Sequence, residues 1–107
     1  MKIMTVVGTR PELIRLSRII PLLDQYCEHI FVHTGQNYDK NLKDIIFKSL
    51  DLRDPDYLGS WWKGDNPSIA GDISNVLRTT EEIIKEELPD KLLILGDTYS
   101  GLSAIIA

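Results

Sequence analysis

Charged side chains follow two of the short apolar runs of this sequence. The first run ends at Gly8 and is followed by TRPE at residues 9–12, with a second arginine at Arg15. A later run, LLIL, is followed by GD, which places Asp97 just beyond it. Arginine binds phosphate oxygens through paired N–H groups, and a carboxylate is suited to binding a sugar hydroxyl or moving a proton. These residue types would suit a site for a phosphorylated ligand.

The GTRPE segment also has the pattern of a helix start. Thr9 and Glu12 have the T-x-x-E spacing of a capping box, and Pro11 suits the first helical turn. The positive end of such a helix favours phosphate, and Arg10 and Arg15 would add charge-assisted contacts. Two interpretations stay open, because capping boxes are common: the segment binds phosphate, or it only caps a helix and its arginines are solvated.

Asp97 follows a buried-strand pattern and precedes the start of another helix. It is either the N-cap of that helix or a carboxylate that binds or activates a sugar hydroxyl or C–H group. The G-D-T motif alone does not decide between the two.

The other polar candidates have simpler interpretations. His33 alternates with Phe31 in a strand pattern, so a packed or hydrogen-bonded histidine is predicted rather than a ligand. Two histidines and the single Cys27 form no metal-ligand pattern, so no metal site is predicted. The pair Trp61–Trp62 could stack on a sugar or base, but a role in covering the core or a subunit contact is favoured.

The apolar patterns predict the elements that position these residues. Strands are predicted at residues 2–7, 29–34 and 91–95, with a short one at 56–58. Helices are predicted at 11–26, 40–50, 67–88 and from 102 onward, and Pro21 is expected to kink the first or start a second. The inward stripe of helix 67–88 is predicted to comprise Ile69, Ile73, Val76, Leu77, Ile83, Ile84 and Leu88.

Alternating strands and helices predict an α/β fold with a parallel βαβ sheet. Ligands of such sheets bind outside the carboxyl ends of the strands. The segments GTRPE, TGQNYD and GDTYS are therefore expected along one edge of the sheet. Arg10 and Asp97 would both line the ligand site at this edge.

Length and composition are those of one globular domain. The chain has 107 residues, of which 43% are hydrophobic and 26% charged. The formal net charge of −4 argues against a broad nucleic-acid-binding face. The apolar runs are too short to cross a membrane, and the first residues do not form a secretory signal. A cytoplasmic protein without a nucleic-acid or membrane partner is predicted, and the single cysteine agrees with a reducing compartment.

Three motifs give a resemblance to a known family. GTRPELIR, HTGQNYD and LGDTYS, in this order and spacing, resemble the non-hydrolysing UDP-N-acetylglucosamine 2-epimerases. The HTGQNYD form is most similar to the branch that acts on UDP-2-acetamido-2,6-dideoxy-L-hexoses and forms UDP-N-acetyl-L-fucosamine for surface polysaccharides. Many bacterial members have Q-H-x-x-M where this sequence has QNYD, so the allosteric UDP-GlcNAc site associated with that motif is not expected here.

The resemblance implies a glycosyltransferase-B-type fold of two Rossmann-like domains. Residues 1–107 would be an incomplete amino-terminal one, without the carboxyl-terminal domain and its catalytic residues, so this piece alone is expected to be inactive. The resemblance also implies a homodimer that needs no metal or nicotinamide cofactor. The implied reaction inverts C2 of a UDP-sugar by elimination of UDP to a 2-acetamidoglycal and re-addition of UDP.

Residue by residue, the resemblance implies that Arg10 contacts the diphosphate and that Asp97 contacts the sugar as a candidate acid or base. Arg15 falls where many members have lysine and would be a further cationic contact, while Glu12 is assigned to capping. Two alternatives remain: a nucleotide-sugar-binding module without epimerase activity, and a structural domain whose arginines are solvated.

Overall fold

The computed structural model describes residues 1–35, 47–59, 69–95, 102, 105 and 106. Its elements, in chain order, are β1 (Lys2–Val7), α1 (Arg10–Leu16), α2 (Ile19–Tyr26), β2 (Glu28–His33), β3 (Tyr57–Leu58), α3 (Ile69–Glu87) and β4 (Lys91–Leu93). The predicted strands match these to within two residues. The predicted helices at 40–50 and from 102 onward lie largely outside the described residues.

The four strands form one parallel sheet in the order β3-β2-β1-β4, which confirms the predicted α/β fold. In the pairing of β1 with its two neighbours, Val7 stands opposite His33 on β2 and Thr5 stands opposite Leu93 on β4. Because strands cover both edges of β1 and helices cover both faces, its last four residues are fully buried.

The core consists of two apolar layers, one on each face of the sheet. On one face Val7 and Phe31 pack with residues of α1 and α2, including Leu13 and Ile20. On the other face the core residues are Met4, Val6, Val32 and, from α3, Ile83. Neighbouring strand residues point to opposite faces, so a continuous apolar run such as MTVV supplies both layers.

The predicted helix over residues 11–26 is two helices, as Pro21 suggested. The break lies at Ser17 and Arg18, where both the N–H and the hydroxyl of Ser17 donate to the carbonyl of Ile14, the latter at 2.8 Å. Pro21 is the third residue of α2. Its missing N–H costs nothing there, because N–H groups of a first turn have no partner within the helix. The second helix begins at Ile19, two residues before the proline.

The inward stripe of α3 is confirmed in its middle and wrong at its ends. Val76 and Ile83 are buried, whereas Ile69 is 62% exposed and Leu88 74% exposed. Leu88 has a left-handed backbone (φ 48°) and lies past the end of α3, outside its periodicity. Thr80, which an apolar pattern does not include, is fully buried between Val76 and Ile83. No helix in the described ranges is both long and apolar enough to cross a membrane.

A polar cluster joins the end of α3 to two strands of the sheet. The phenol of Tyr57 donates to Oε1 of Glu87 at 2.6 Å, and Nζ of Lys2 lies 3.0 Å from Oε2 of the same carboxylate. The hydrogen bond to Glu87 raises the pKa of Tyr57 to about 12. Hydrogen bonds from Tyr57 and then Lys2 lower the pKa of Glu87. The cluster thus connects β1, β3 and α3.

A second polar network joins α2 to β1 and β2. Nδ1 of His29 lies 2.7 Å from Oδ1 of Asp24, and Nε2 lies 2.8 Å from Oγ1 of Thr5, with only 1% of the histidine side chain exposed. Nε of Arg53 donates to both oxygens of Asp24, at 3.0 and 3.1 Å. Burial would raise the pKa of Asp24, but the hydrogen bonds from Arg53 and His29 lower it below its ordinary value. Both ring nitrogens of His29 are therefore committed to structure.

Candidate functional site

The candidate site lies at the carboxyl-terminal edge of the sheet. From β1 the chain proceeds to β2 and β3 on one side and then returns to place β4 on the other side of β1. In open α/β sheets, the point at which the strand order reverses opens the crevice that binds ligands. By this rule the loops that leave β1 and β4 are expected to border the ligand crevice. The first carries Arg10, and the second is described as far as Leu95.

Glu12 organises the turn that leaves β1. Its Oε1 accepts hydrogen bonds from the backbone N–H of Gly8 at 3.0 Å, the backbone N–H of Thr9 at 3.1 Å and the hydroxyl of Thr9 at 3.0 Å. Glu12 is only 4% exposed. The capping box predicted from T-x-x-E is present, with Thr9 as the extended N-cap residue. The assignment of Glu12 to capping is therefore confirmed.

The same contacts change the expectation for phosphate. Since the N–H groups of Gly8 and Thr9 donate to Glu12, they are not available to an anion. Helix α1 has only seven residues, so its dipole is short. A phosphate at this edge would therefore rely on arginine side chains and on the first turn of α1, and the expected contribution of the helix terminus stays a prediction.

Arg10 and Arg15 are both exposed, at the first and second-last positions of α1. Neither guanidinium has a hydrogen-bond or ion-pair partner within the described residues. Five helical residues separate two side chains by about 7.5 Å along the axis and about 140° around it. The two side chains therefore leave α1 on different sides and at different heights. They are not placed to bind a single phosphate together. Arg15, in the last turn, also complements the negative end of α1.

His33 is a packed histidine, as predicted. It is 5% exposed, its Nδ1 accepts the backbone N–H of Gly35 at 2.9 Å, and its ring meets that of Phe47 edge-on with centroids 5.9 Å apart. Beside it, the N–H of Thr34 donates to the carbonyl of Val7 at 2.9 Å. This bond holds the loop after β2 against the end of β1.

Several predicted residues lie outside the described part of the chain. They are Asp97, the QNYD segment (residues 36–39) and the pair Trp61–Trp62. The predicted proximity of Arg10 and Asp97 therefore stays a prediction. Within the described ranges, no group of three or more His, Cys, Asp and Glu side chains is placed to hold a metal ion. The prediction that the protein needs no metal likewise stays a prediction.

A groove of about 520 Å³ lies away from these residues, between the α1–α2 junction and the segment around residue 50. Its lining is Ser17, Arg18, Pro21, Leu22, Ser49, Leu50 and Asp51. Neither Arg10 nor Arg15 contributes to it, so it is separate from the candidate site.

Comparison with known proteins decides the family. The model of the family described as UDP-N-acetylglucosamine 2-epimerase matches residues 23–107. The chain belongs to this epimerase family. Because the match begins after GTRPE, the assignment does not depend on that motif. The finer resemblance to the L-fucosamine-forming branch is not decided by the match.

The sequence similarity to two relatives extends over the whole of this epimerase-family chain. A UDP-N-acetylglucosamine 2-epimerase homolog of Methanococcus maripaludis is 36% identical over 100% of the chain, which spans 29% of that relative. A UDP-2,3-diacetamido-2,3-dideoxy-D-glucuronate 2-epimerase of Pseudomonas aeruginosa is 35% identical, again over 100% of the chain and 30% of the relative. The chain therefore spans less than a third of the length of these relatives.

The fold agrees with solved epimerase structures. The crystal structure of Methanocaldococcus jannaschii UDP-GlcNAc 2-epimerase in complex with UDP-GlcNAc and UDP superposes with a TM-score of 0.87 and 32% identity. The superposition covers 99% of this chain and 29% of that one. The parallel sheet and its flanking helices are thus those of an epimerase segment.

Proposed function

We propose that the full-length protein is a non-hydrolysing C2 epimerase of a UDP-N-acetylhexosamine. The observation that carries the proposal is the family match over residues 23–107. The position of the GTRPE turn beside the reversal of strand order adds support, because that is where α/β sheets bind nucleotides.

The proposed reaction leaves the composition of the substrate unchanged. A base removes the proton from C2 while the C1–O bond to UDP breaks, which leaves a 2-acetamidoglycal and free UDP. UDP then adds back to C1, and a proton is delivered to the opposite face of C2. The protein must therefore hold the departing diphosphate near a cation and place acid–base groups at C2.

We assign the residues of this chain to these tasks as follows. Arg10 holds the diphosphate, because it is exposed at the ligand edge and uncommitted to other described groups. Arg15 provides a second, weaker cationic contact. Asp97 binds the sugar and acts as a catalytic acid or base. The further acid–base groups belong to the rest of the full-length protein.

We propose a 6-deoxy-L-hexose as the sugar of the substrate, because HTGQNYD resembles the motif of the L-fucosamine-forming branch. The relative from Pseudomonas aeruginosa carries the name of a different 2-epimerase at 35% identity, so sequence similarity alone does not select the sugar. Rates with UDP-GlcNAc and with UDP-2-acetamido-2,6-dideoxy-L-hexoses would decide. A preference for UDP-GlcNAc would overturn this part of the proposal.

The remaining proposals concern the assembly. We propose that residues 1–107 are part of the amino-terminal Rossmann-like domain of a two-domain protein that works as a cytoplasmic homodimer without metal or nicotinamide. The coverage of less than a third of each relative supports the two-domain proposal. Sedimentation of the full-length protein tests the dimer, and activity after exhaustive chelation tests the independence from metal.

Exchange of the C2 proton tests the epimerase proposal directly. The full-length protein is incubated with the UDP-sugar in D₂O, and proton NMR follows the C2 signal. The proposal predicts that deuterium replaces the C2 proton as the two epimers interconvert. A protein that only binds nucleotide sugars would leave the signal intact while still binding UDP, and that result would contradict the proposal.

A further inference from the structure

Glu12 is buried next to the candidate site but does not need to touch the ligand. Three donors from two consecutive residues, Gly8 and Thr9, converge on its Oε1 within 3.0–3.1 Å. A helix cap requires fewer contacts than this. The carboxylate therefore fixes the whole turn between β1 and α1 in addition to closing the first helical turn.

The turn that Glu12 fixes is the one that carries Arg10. Thr9 is the N-cap, and its carbonyl accepts the N–H of Leu13 at 3.2 Å, so the backbone is held on both sides of Arg10. The guanidinium of Arg10 has no partner among the described residues that would set its direction. Its position at the ligand edge therefore depends on the backbone from which it projects.

We infer that Glu12 is a positioning residue for Arg10, acting through the Gly8–Thr9 turn. The inference rests on the proposed function, in which Arg10 holds the diphosphate. The contribution of Glu12 comes from acceptor geometry and not from its negative charge, which by itself repels an anion. A side chain of the same length that still carries an acceptor oxygen should therefore hold the turn as Glu12 does.

Two substitutions of Glu12 distinguish the effect of side-chain length from the effect of charge. Glu12→Gln keeps an oxygen at the position of Oε1 and loses the charge. Glu12→Asp keeps the charge but is shorter by one methylene, so it cannot reach the same three donors. We expect the Asp variant to bind UDP roughly ten-fold more weakly, the effect of about 1.4 kcal/mol of coupling, and the Gln variant to remain within about three-fold of the unsubstituted protein.

The binding of UDP is compared with that of uridine, by calorimetry on the full-length protein. Because Arg10 contacts only the diphosphate, Glu12→Asp should weaken UDP and leave uridine unchanged. In an Arg10→Ala background, Glu12→Asp should add less than about two-fold, since the two residues act in series. Tyr57→Phe, which removes a hydrogen bond to Glu87 and none of the contacts of Glu12, is the control for a general loss of stability.

The outcomes separate the inference from the proposed function. If Arg10→Ala weakens UDP binding but Glu12→Asp lowers only the melting temperature, as Tyr57→Phe does, the inference is wrong and the proposed function stands. Equal weakening of UDP and uridine, or effects that add in the double variant, would also overturn the inference. If Arg10→Ala leaves the affinity for UDP unchanged, the assigned role of Arg10 falls, and the inference falls with it.

Discussion

Oε1 of Glu12 lies 3.1 Å from the backbone nitrogen of Thr9, and this contact closes the turn that leads from β1 into α1. The sequence of this segment left two interpretations open, whereas the contact shows that the backbone beside Arg10 is fixed. The contact also removes backbone donors that a phosphate would otherwise use. The affinity of this edge for a diphosphate is therefore expected to depend mainly on arginine side chains.

The two arginines are predicted to contribute unequally. Arg10→Ala should weaken UDP binding roughly ten- to hundred-fold, as expected for loss of hydrogen bonds from a charged donor worth about 1.5–3 kcal/mol. Arg15→Ala should weaken it at most about five-fold, because an exposed, separate ion pair contributes about 0–1 kcal/mol. Arg18→Ala serves as control, since Arg18 is exposed but lines the separate groove. A larger effect for Arg15 than for Arg10 would reverse our assignment.

Tyr57 is predicted to make the protein less stable at high pH. The phenol of an unfolded chain ionises near pH 10, whereas the pKa of Tyr57 in the folded protein is about 12. Between these values the folded state holds a proton that the unfolded state has released, so the free energy of unfolding falls as pH rises. Tyr57→Phe should remove this part of the slope between pH 10 and 12.

The stability of the Tyr57 variant is measured as melting temperature against pH, beside a Tyr26→Phe control. Tyr26 is 75% exposed and lies on α2, away from Glu87, so Tyr26→Phe is the matched loss of a phenol hydroxyl. At neutral pH, Tyr57→Phe should cost about 0.5–1.5 kcal/mol, the usual value of one hydrogen bond. An alkaline slope identical in all three proteins would show that the bond to Glu87 does not contribute to stability.

Asp24 is predicted to contribute stability that is lost in acid. Its pKa in the folded protein lies below the ordinary value of 3.8. The contribution is therefore present above about pH 4 and disappears as pH falls through the folded value. Asp24→Asn should lower the melting temperature at pH 7 and leave a shallower decline below pH 4. If the variant declines in acid as steeply as the unsubstituted protein, the pairing with Arg53 and His29 is not stabilising.

Phe31 is predicted to be a main contributor to the core. It is fully buried, and Phe47 packs edge-on against it with ring centroids 6.3 Å apart. Phe31→Ala should lower the free energy of unfolding by about 3–5 kcal/mol, measured by urea denaturation. Leu88→Ala, at a position 74% exposed, should change it by less than about 0.5 kcal/mol. A large decrease in the free energy of unfolding of Leu88→Ala would show that Leu88 packs against the core, as the inward stripe predicted.

Features with local causes could be predicted from the sequence. A capping box needs only Thr9 and Glu12 at the right spacing, and the buried run of β1 needs only its own residues and the glycine that follows. The place of a helix break was less predictable, because the bond from Ser17 to Ile14, and not Pro21, ends α1. Local sequence patterns predict where these elements lie but not the residue at which each one ends.

Features that depend on distant residues could not be predicted. Asp24 and Arg53 are 29 positions apart, and only the folded sheet brings them together. Thr80 is buried because its neighbours on α3 face the core, although its hydroxyl finds no partner among the described residues. The candidate site shows the same division: the Arg10 turn follows from local sequence, whereas its relation to Asp97 depends on how two strands are placed.

A crystal structure of the full-length protein with UDP tests the central claim, that the loops leaving β1 and β4 form one side of the diphosphate site. We predict that the guanidinium of Arg10 lies within hydrogen-bond distance of a phosphate oxygen and that Asp97 borders the same cleft on the sugar side. The account would be contradicted if UDP bound elsewhere, with Arg10 directed into solvent and Asp97 remote from the nucleotide.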